Sequence, residues 1–291
     1  MLVLPAWYPS ARQPFAGSFV RDHVQAAAAY GHRMVVLADE GPSADVRGLI
    51  RLSEERDGAL RVFRLAYRPR AVRVAGLLAA LRVARRLSRE GTPVDVLHAH
   101  VHRMAWVAVL AGRVLGRPVV VSEHSSEWPR RLLTAGQLRR ARIAFRRAAL
   151  VCPVNAHLQR AIEGYGIRAR FRVVPNTVDT GVFRPAEMPR EKPPIRIVNV
   201  ALHVEVKGLD VLLRGFASLA SGRPELTLDL VGEGPTTQAL RALAAELGIE
   251  GRVRFAGALP REQVADRLRA SDVFALSSHS ENMPLAVLEA L

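Results

Sequence analysis

From end to end, short apolar runs alternate with segments whose apolar residues recur at helical spacing. Residues 2–4, 34–37, 62–65, 94–98, 119–122, 150–153 and 172–174 read as strands, and 19–30, 72–89 and 137–147 as helices between them. Such alternation predicts α/β architecture, a parallel and doubly wound sheet. Residues 175–194 hold five prolines and no clear period, the mark of a connection. Beyond them the alternation restarts: strands 195–200, 226–231, 253–255 and 273–276, with helices 209–220, 236–247 and 261–269. Two domains are therefore expected, 1–180 and 195–291, joined by a linker over 181–194. The second is expected to be incomplete and the chain truncated, because it offers four strands where a doubly wound domain usually has five or six.

Composition narrows the setting. The chain has 291 residues, 49% of them hydrophobic, enough for two cores. No run approaches eighteen apolar residues, and the start, Met-Leu-Val-Leu-Pro-Ala-Trp, lacks the basic and apolar regions of a secretory signal. A cytoplasmic protein is expected. Cys152, the single cysteine, sits in an apolar run and reads as a core thiol, so neither a disulfide framework nor a thiolate metal cluster is expected.

The formal charge is +15, and Lys192 and Lys207 are the two lysines among 42 basic residues. Arg82, Arg85, Arg86 and Arg89 repeat at helical spacing opposite Val74, Leu77, Leu78 and Leu81; Arg139, Arg142 and Arg146 do likewise between Leu138, Ile143 and Phe145. Two basic amphipathic helices follow, either with a solvated face or drawn to anionic lipid headgroups on the inner face of the membrane. Nucleic acid is not expected as a partner, because aromatics make up 5% of the chain and no recognition motif accompanies the charge.

Several loops carry candidate chemistry. The first strand leads through Trp7-Tyr8-Pro9-Ser10 and Pro14-Phe15-Ala16 to Gly17, where a helix start without a side chain lets a phosphate approach. The G-x-G-x-x-G fingerprint of dinucleotide enzymes is absent there. His98-Ala99-His100 and Glu123-His124 follow two strand ends, which in parallel sheets face the ligand crevice. His100 and His124 lack metal-ligand spacing and the sequence holds no Asp-x-Asp pair, so no metal is expected. Lys207-Gly208 precedes a helix, where a point cation can neutralise a diphosphate. Gly232-Glu233-Gly234-Pro235 forms a strand-to-helix loop. Glu281 and Glu289 stand eight positions apart at a loop-to-helix junction. Helical periodicity would place Glu289 beneath Glu281, so that both address one polyhydroxylated ligand while the helix start suits a phosphate.

Taken in order, these segments resemble the retaining glycosyltransferases of family 4. The resemblance runs through Trp7-Tyr8-Pro9 with Gly17-Ser18-Phe19-Val20, Asp95 to His100, Glu123-His124, Val174 to Asp179, Lys207-Gly208, Gly232 to Pro235, and Ser277 with Glu281 to Glu289. It implies the GT-B fold, two Rossmann-like domains facing a cleft. It implies metal-independent transfer of a sugar, with retention, from a nucleotide diphosphate sugar to a glycan or lipid-linked acceptor. Lys207 would bind the donor diphosphate, Glu281 the transferred sugar and Glu289 the ribose. Gly17 would meet the phosphate from the opposite domain, and His124 would lie near the reacting sugar. Gly232, Asn282 and Met283 are further candidate donor contacts, and no cofactor is expected beyond the donor itself. The family usually has an arginine five residues before the lysine; here that position is Leu202, followed by His203. A catalytically silent module that binds a sugar nucleotide or a membrane is the alternative.

Overall fold

The structure, a computed structural model, describes all residues except Pro14, Arg73 and 187–193. Lys192 and the centre of the expected 181–194 linker lie outside the described residues. The chain divides into two compact units, Met1–Thr177 and Val178–Leu291.

The first unit runs β1 (Leu2–Pro5), α1 (Ser18–Ala29), β2 (Val35–Pro42), β3 (Ile50–Asp57), β4 (Leu60–Tyr67), α2 (Ala75–Arg89), β5 (Leu97–His100), α3 (His102–Leu115), β6 (Val119–Glu123), α4 (Ala135–Arg147), β7 (Leu150–Pro153) and α5 (Ala156–Glu163). Its sheet has the order β3-β4-β2-β1-β5-β6-β7. With the outer β3 set aside, this is the doubly wound order 3-2-1-4-5-6. Central strands such as β1 are buried along their whole length, as a sheet covered by helices on both faces requires. Two helix starts follow local chemistry. Thr134 and Gln137 form a capping box ahead of α4, and the Asn155 side chain accepts the Leu158 N–H ahead of α5.

Three expectations change here. β3 pairs antiparallel with β4 across a two-residue turn at Gly58, so the sheet is not wholly parallel. As an edge strand it is largely exposed and polar, so it carries no apolar run. The strand expected at 94–98 lies at Leu97–His100, which carries His100 into the strand's last position. Residues 172–174 form no strand; they run beside β7 through the Arg172 N–H to the Val151 carbonyl and the Val174 N–H to the Pro153 carbonyl.

The second unit runs β8 (Ile195–Val200), α6 (Leu209–Ala220), β9 (Leu226–Val231), α7 (Thr237–Glu246), β10 (Val253–Gly257), α8 (Arg261–Arg269), β11 (Val273–Phe274) and α9 (Leu285–Ala290). Its parallel sheet has the order β10-β9-β8-β11, again a 3-2-1-4 arrangement. Leu213, Phe216, Leu228, Leu230 and Leu240 centre its core.

On α2 the buried positions are Ala75, Ala79, Ala80, Val83, Ala84 and Leu87, so small residues let the helix lie close to its neighbours. Val74, expected on the apolar face, is exposed. Arg82, Arg85, Arg86 and Arg89 are exposed, and Arg86 is tied to Glu54 and Glu90. Among the described residues no helix is long and apolar enough to cross a membrane.

Candidate functional site

Ligands of open parallel sheets bind beyond the carboxyl ends of the strands, at the point where strand order reverses. In the first unit that point lies between β1 and β5. Gly17 caps α1 with φ of 70°, and a Cβ there would lie 2.1 Å from the Trp7 carbonyl oxygen. Close backbone packing therefore requires glycine at this position. One turn along α1, Phe19 and His23 both meet His124, at ring-centroid distances of 4.6 and 5.4 Å. His124 follows β6. Its Nε2 lies 3.2 Å from Nδ1 of His100, and its Nδ1 lies 3.1 Å from Oδ1 of Asn176. His98, within β5, has Nε2 2.8 Å from Oγ of Ser122. Val101, next after His100, has φ of 72°, a strained conformation for a β-branched residue, and it separates His100 from His102 at the start of α3.

His23, His98, His100 and His124 are all shifted toward the neutral imidazole. Burial pushes His98 down to about 4 and His124 down to about 3, with repulsion from His23 adding to both. His100, wholly buried, falls well below the ordinary imidazole range, and burial lowers His23 as well. Nitrogen atoms of His23, His100 and His124 all lie within 4.8 Å of one another, so among the described residues these three are the group able to hold a metal ion.

Glu123 does not face a ligand. It is fully buried, with Oε2 accepting the His102 backbone N–H at 2.7 Å and Oε1 accepting those of His124 and Ser125 at 2.9 and 2.8 Å. Burial alone would raise its carboxyl. The His102 ring and these N–H groups outweigh that and hold it below the usual carboxylate range. Glu123 thus ties the turn after β6 to the start of α3 and aims His124.

In the second unit the reversal lies between β8 and β11. The chain leaves β8 through exposed Leu202 and fully buried His203, whose Nδ1 lies 2.8 Å from Oγ1 of Thr237. A short turn then ends at Lys207. Gly208 follows with φ of 57°, and a Cβ there would lie 2.4 Å from the Ser277 carbonyl oxygen. That close approach binds the lysine loop to the segment after β11. The Ser277 Oγ donates to the Lys207 carbonyl at 3.0 Å and the His279 N–H to the Val206 carbonyl at 2.9 Å. On this frame the Lys207 ammonium reaches Oε1 of Glu281 at 2.5 Å, both side chains 23% exposed. Gly232 sits at the end of β9, where a Cβ would collide with the Ala201 carbonyl.

The helix expected to set Glu289 beneath Glu281 does not extend back to Glu281. Pro284 starts α9 at Leu285, so Glu281 lies in the loop before the helix, with Asn282 and Met283 in the bend between, and Glu289 lies in the helix's last turn. Within each unit, then, the structure joins Lys207 to Glu281 and gathers His124 with His100. His23 and His203 were not singled out from the sequence. The signal for His23 was its one-turn spacing from Phe19, legible only once both were known to face β6.

The family description "Glycosyl transferases group 1" matches residues 183–291, and "Glycosyltransferase Family 4" matches 16–182. The chain is 25% identical over 273 residues, 89% of its length, to a phosphatidylinositol N-acetylglucosaminyltransferase subunit of Arabidopsis thaliana. It is 30% identical over 228 residues, 69% of its length, to the D-inositol 3-phosphate glycosyltransferase of Acidothermus cellulolyticus. The chain spans 58% and 51% of the lengths of these two relatives. The solved structure of Anabaena HepE in complex with UDP is similar in fold, with a TM-score of 0.72 at 20% identity, covering 99% of this chain and 77% of that one.

Proposed function

The chain belongs to the group 1, family 4 glycosyltransferases, with two Rossmann-like domains of the GT-B fold, and from that premise we propose that it moves a sugar from a nucleotide diphosphate sugar to a glycan or lipid-linked acceptor. The observation that carries this reading is the Lys207–Glu281 pair at the strand-order reversal of the second unit. A cation and a carboxylate in contact suit the two halves of such a donor. Lys207 takes the diphosphate, and Glu281, released from the pair, accepts hydrogen bonds from sugar hydroxyls. Glu289 is assigned to the ribose, and Asn282, Met283 and Gly232 to the loops around the donor.

The transfer we infer needs no metal. The bond from the anomeric carbon to the diphosphate oxygen breaks and the acceptor oxygen bonds to that carbon on the same face. The acceptor's proton passes to the departing phosphate oxygen, so configuration is retained. Charge developing on the leaving diphosphate is stabilised by Lys207. His124 keeps the role close to the sugar that the family resemblance gives it, and its neutral ring can hydrogen-bond there without repelling a developing positive centre. Turnover followed by proton NMR should give the donor's anomeric configuration in the product and persist in excess EDTA. An inverted product, or loss of turnover on chelation, contradicts the mechanism.

Leu202, 55% exposed where the family usually carries arginine, favours the second reading, a module that binds the donor without turning it over. Donor binding with neither transfer nor hydrolysis would select it.

Contact with an anionic membrane is proposed for the first unit. Arg82, Arg85 and Arg89 on α2 and Arg139, Arg142 and Arg146 on α4 are exposed, and the Arabidopsis relative's name includes phosphatidylinositol. The protein should sediment with anionic vesicles at low salt, release as ionic strength nears about 0.5 M, and ignore neutral vesicles. Equal binding to both kinds, or to neither, returns these arginines to a solvated face.

A further inference from the structure

We propose that His23, His100 and His124 form a binding site for a zinc-like divalent transition ion, and that a bound ion withdraws His124 from transfer, making the site inhibitory. The second clause rests on the role for His124 proposed above; the first stands on geometry alone.

Three imidazoles from three elements converge here, from α1, the end of β5 and the residue after β6. Tetrahedral zinc, with Zn–N near 2.0–2.1 Å, sets its ligand nitrogens about 3.3 Å apart. His100 Nδ1 and His124 Nε2, at 3.2 Å, already have that separation. The nitrogens of all three lie within 4.8 Å, so side-chain rotation of His23 completes the set.

The surroundings leave suitable nitrogens turned to the ion. His23 Nε2 is buried without a protein hydrogen-bond partner, and it holds the lone pair in the tautomer protonated at Nδ1. His124 directs Nδ1 to the Asn176 amide oxygen, an acceptor, which makes Nε2 the lone-pair nitrogen toward His100. Ligating histidines commonly bond their second nitrogen to a carbonyl in this way. His100 joins by moving its proton from Nδ1 to its buried and unpartnered Nε2. No net proton is released and three neutral imidazoles face the ion. Imidazole ligands suit zinc, cobalt, nickel or copper and disfavour magnesium, calcium and manganese. Three protein ligands leave a fourth position for water.

The inhibitory consequence follows from one atom. His124 Nε2 cannot hold a metal ion and hydrogen-bond a sugar at once.

Chelator-stripped protein titrated with Co²⁺ should develop the visible absorption of four-coordinate cobalt at one equivalent, and Zn²⁺ should displace it. His23→Gln should abolish the spectrum. Asn176→Leu, which keeps all three ligands, should weaken binding about 10–100-fold. His157→Gln, at an exposed histidine, should change nothing. No tetrahedral spectrum, or one that survives His23→Gln or vanishes in His157→Gln, overturns the site and leaves a packed histidine cluster. Zinc at saturation should then suppress turnover of donor and acceptor, with EDTA restoring it, and the ratio of rates with and without zinc should approach one in His23→Gln. A cobalt site with zinc-indifferent turnover overturns the inhibitory clause alone. Absence of turnover from metal-free protein overturns the transfer reading, while cobalt still decides the site.

Discussion

Beyond β5 and β6 of the first unit the polar groups are buried, neutral or fully satisfied; beyond β8 and β11 of the second, an ammonium and a carboxylate meet with about a quarter of each side chain open to solvent. Both clusters stand where strand order reverses in a Rossmann-like sheet, so topology does not set them apart. Charge does. An uncharged imidazole cluster cannot attract a diphosphate through net charge, whereas a partly exposed ion pair loses little when a ligand replaces one partner, because such pairs are weak in water. On the function proposed above, the second unit exchanges partners while the first holds side chains in place.

The largest effect expected from that contrast concerns Glu123. Replacing it with alanine removes the acceptor of three buried backbone N–H groups and should cost the first unit about 3–5 kcal/mol. Trp7, Trp106 and Trp128 all belong to the first unit, so tryptophan fluorescence during urea unfolding reads that unit alone. A loss under about 1 kcal/mol would mean that the turn after β6 does not depend on the carboxylate.

Acid should act next. The ordinary histidine value is 6.5, and folding lowers His98 to about 4 and His124 to about 3. Between those limits the unfolded chain binds more protons than the folded one. Their contribution is present in full above about pH 6.5 and is lost as pH falls toward 4, at up to about 1.4 kcal/mol per pH unit for each histidine. Fluorescence-detected stability should therefore fall steeply from pH 6.5 to 5. A flat profile would mean that water reaches the cluster and the histidines titrate normally.

The two regions also differed in how far they could be read from sequence. Strands β7, β8 and β9 and helices α6 and α8 lie where apolar periodicity placed them, because each buries a continuous run. β3 escaped because a polar edge strand needs only occasional apolar residues, at Ile50 and Leu52. Lys207 could be singled out because lysine is rare in this chain, and Glu281 because the segment resembles a family; their contact depends on Gly208 passing the Ser277 carbonyl, which no spacing reveals. Helical period could not relate Glu281 to Glu289, because α9 begins only after Pro284. Glu123 was misread because position at a strand end predicts exposure to a ligand, and three backbone donors had already claimed it. The histidine cluster joins residues 23, 98, 100 and 124, contacts that exist only once α1 lies against β5 and β6.

The smallest free-energy change falls on the partly exposed ion pair, and it bears on the central proposal, that Lys207 and Glu281 form the donor-binding end of the second unit. Calorimetric titration with a nucleoside diphosphate and with its sugar conjugate should show Lys207→Ala weakening both by about 1–3 kcal/mol, roughly 5–150-fold, while folding stability shifts by under about 1 kcal/mol. Glu281→Gln should weaken the conjugate and spare the free diphosphate. Unchanged affinity in Lys207→Ala, or equal losses for both ligands in Glu281→Gln, would contradict the account.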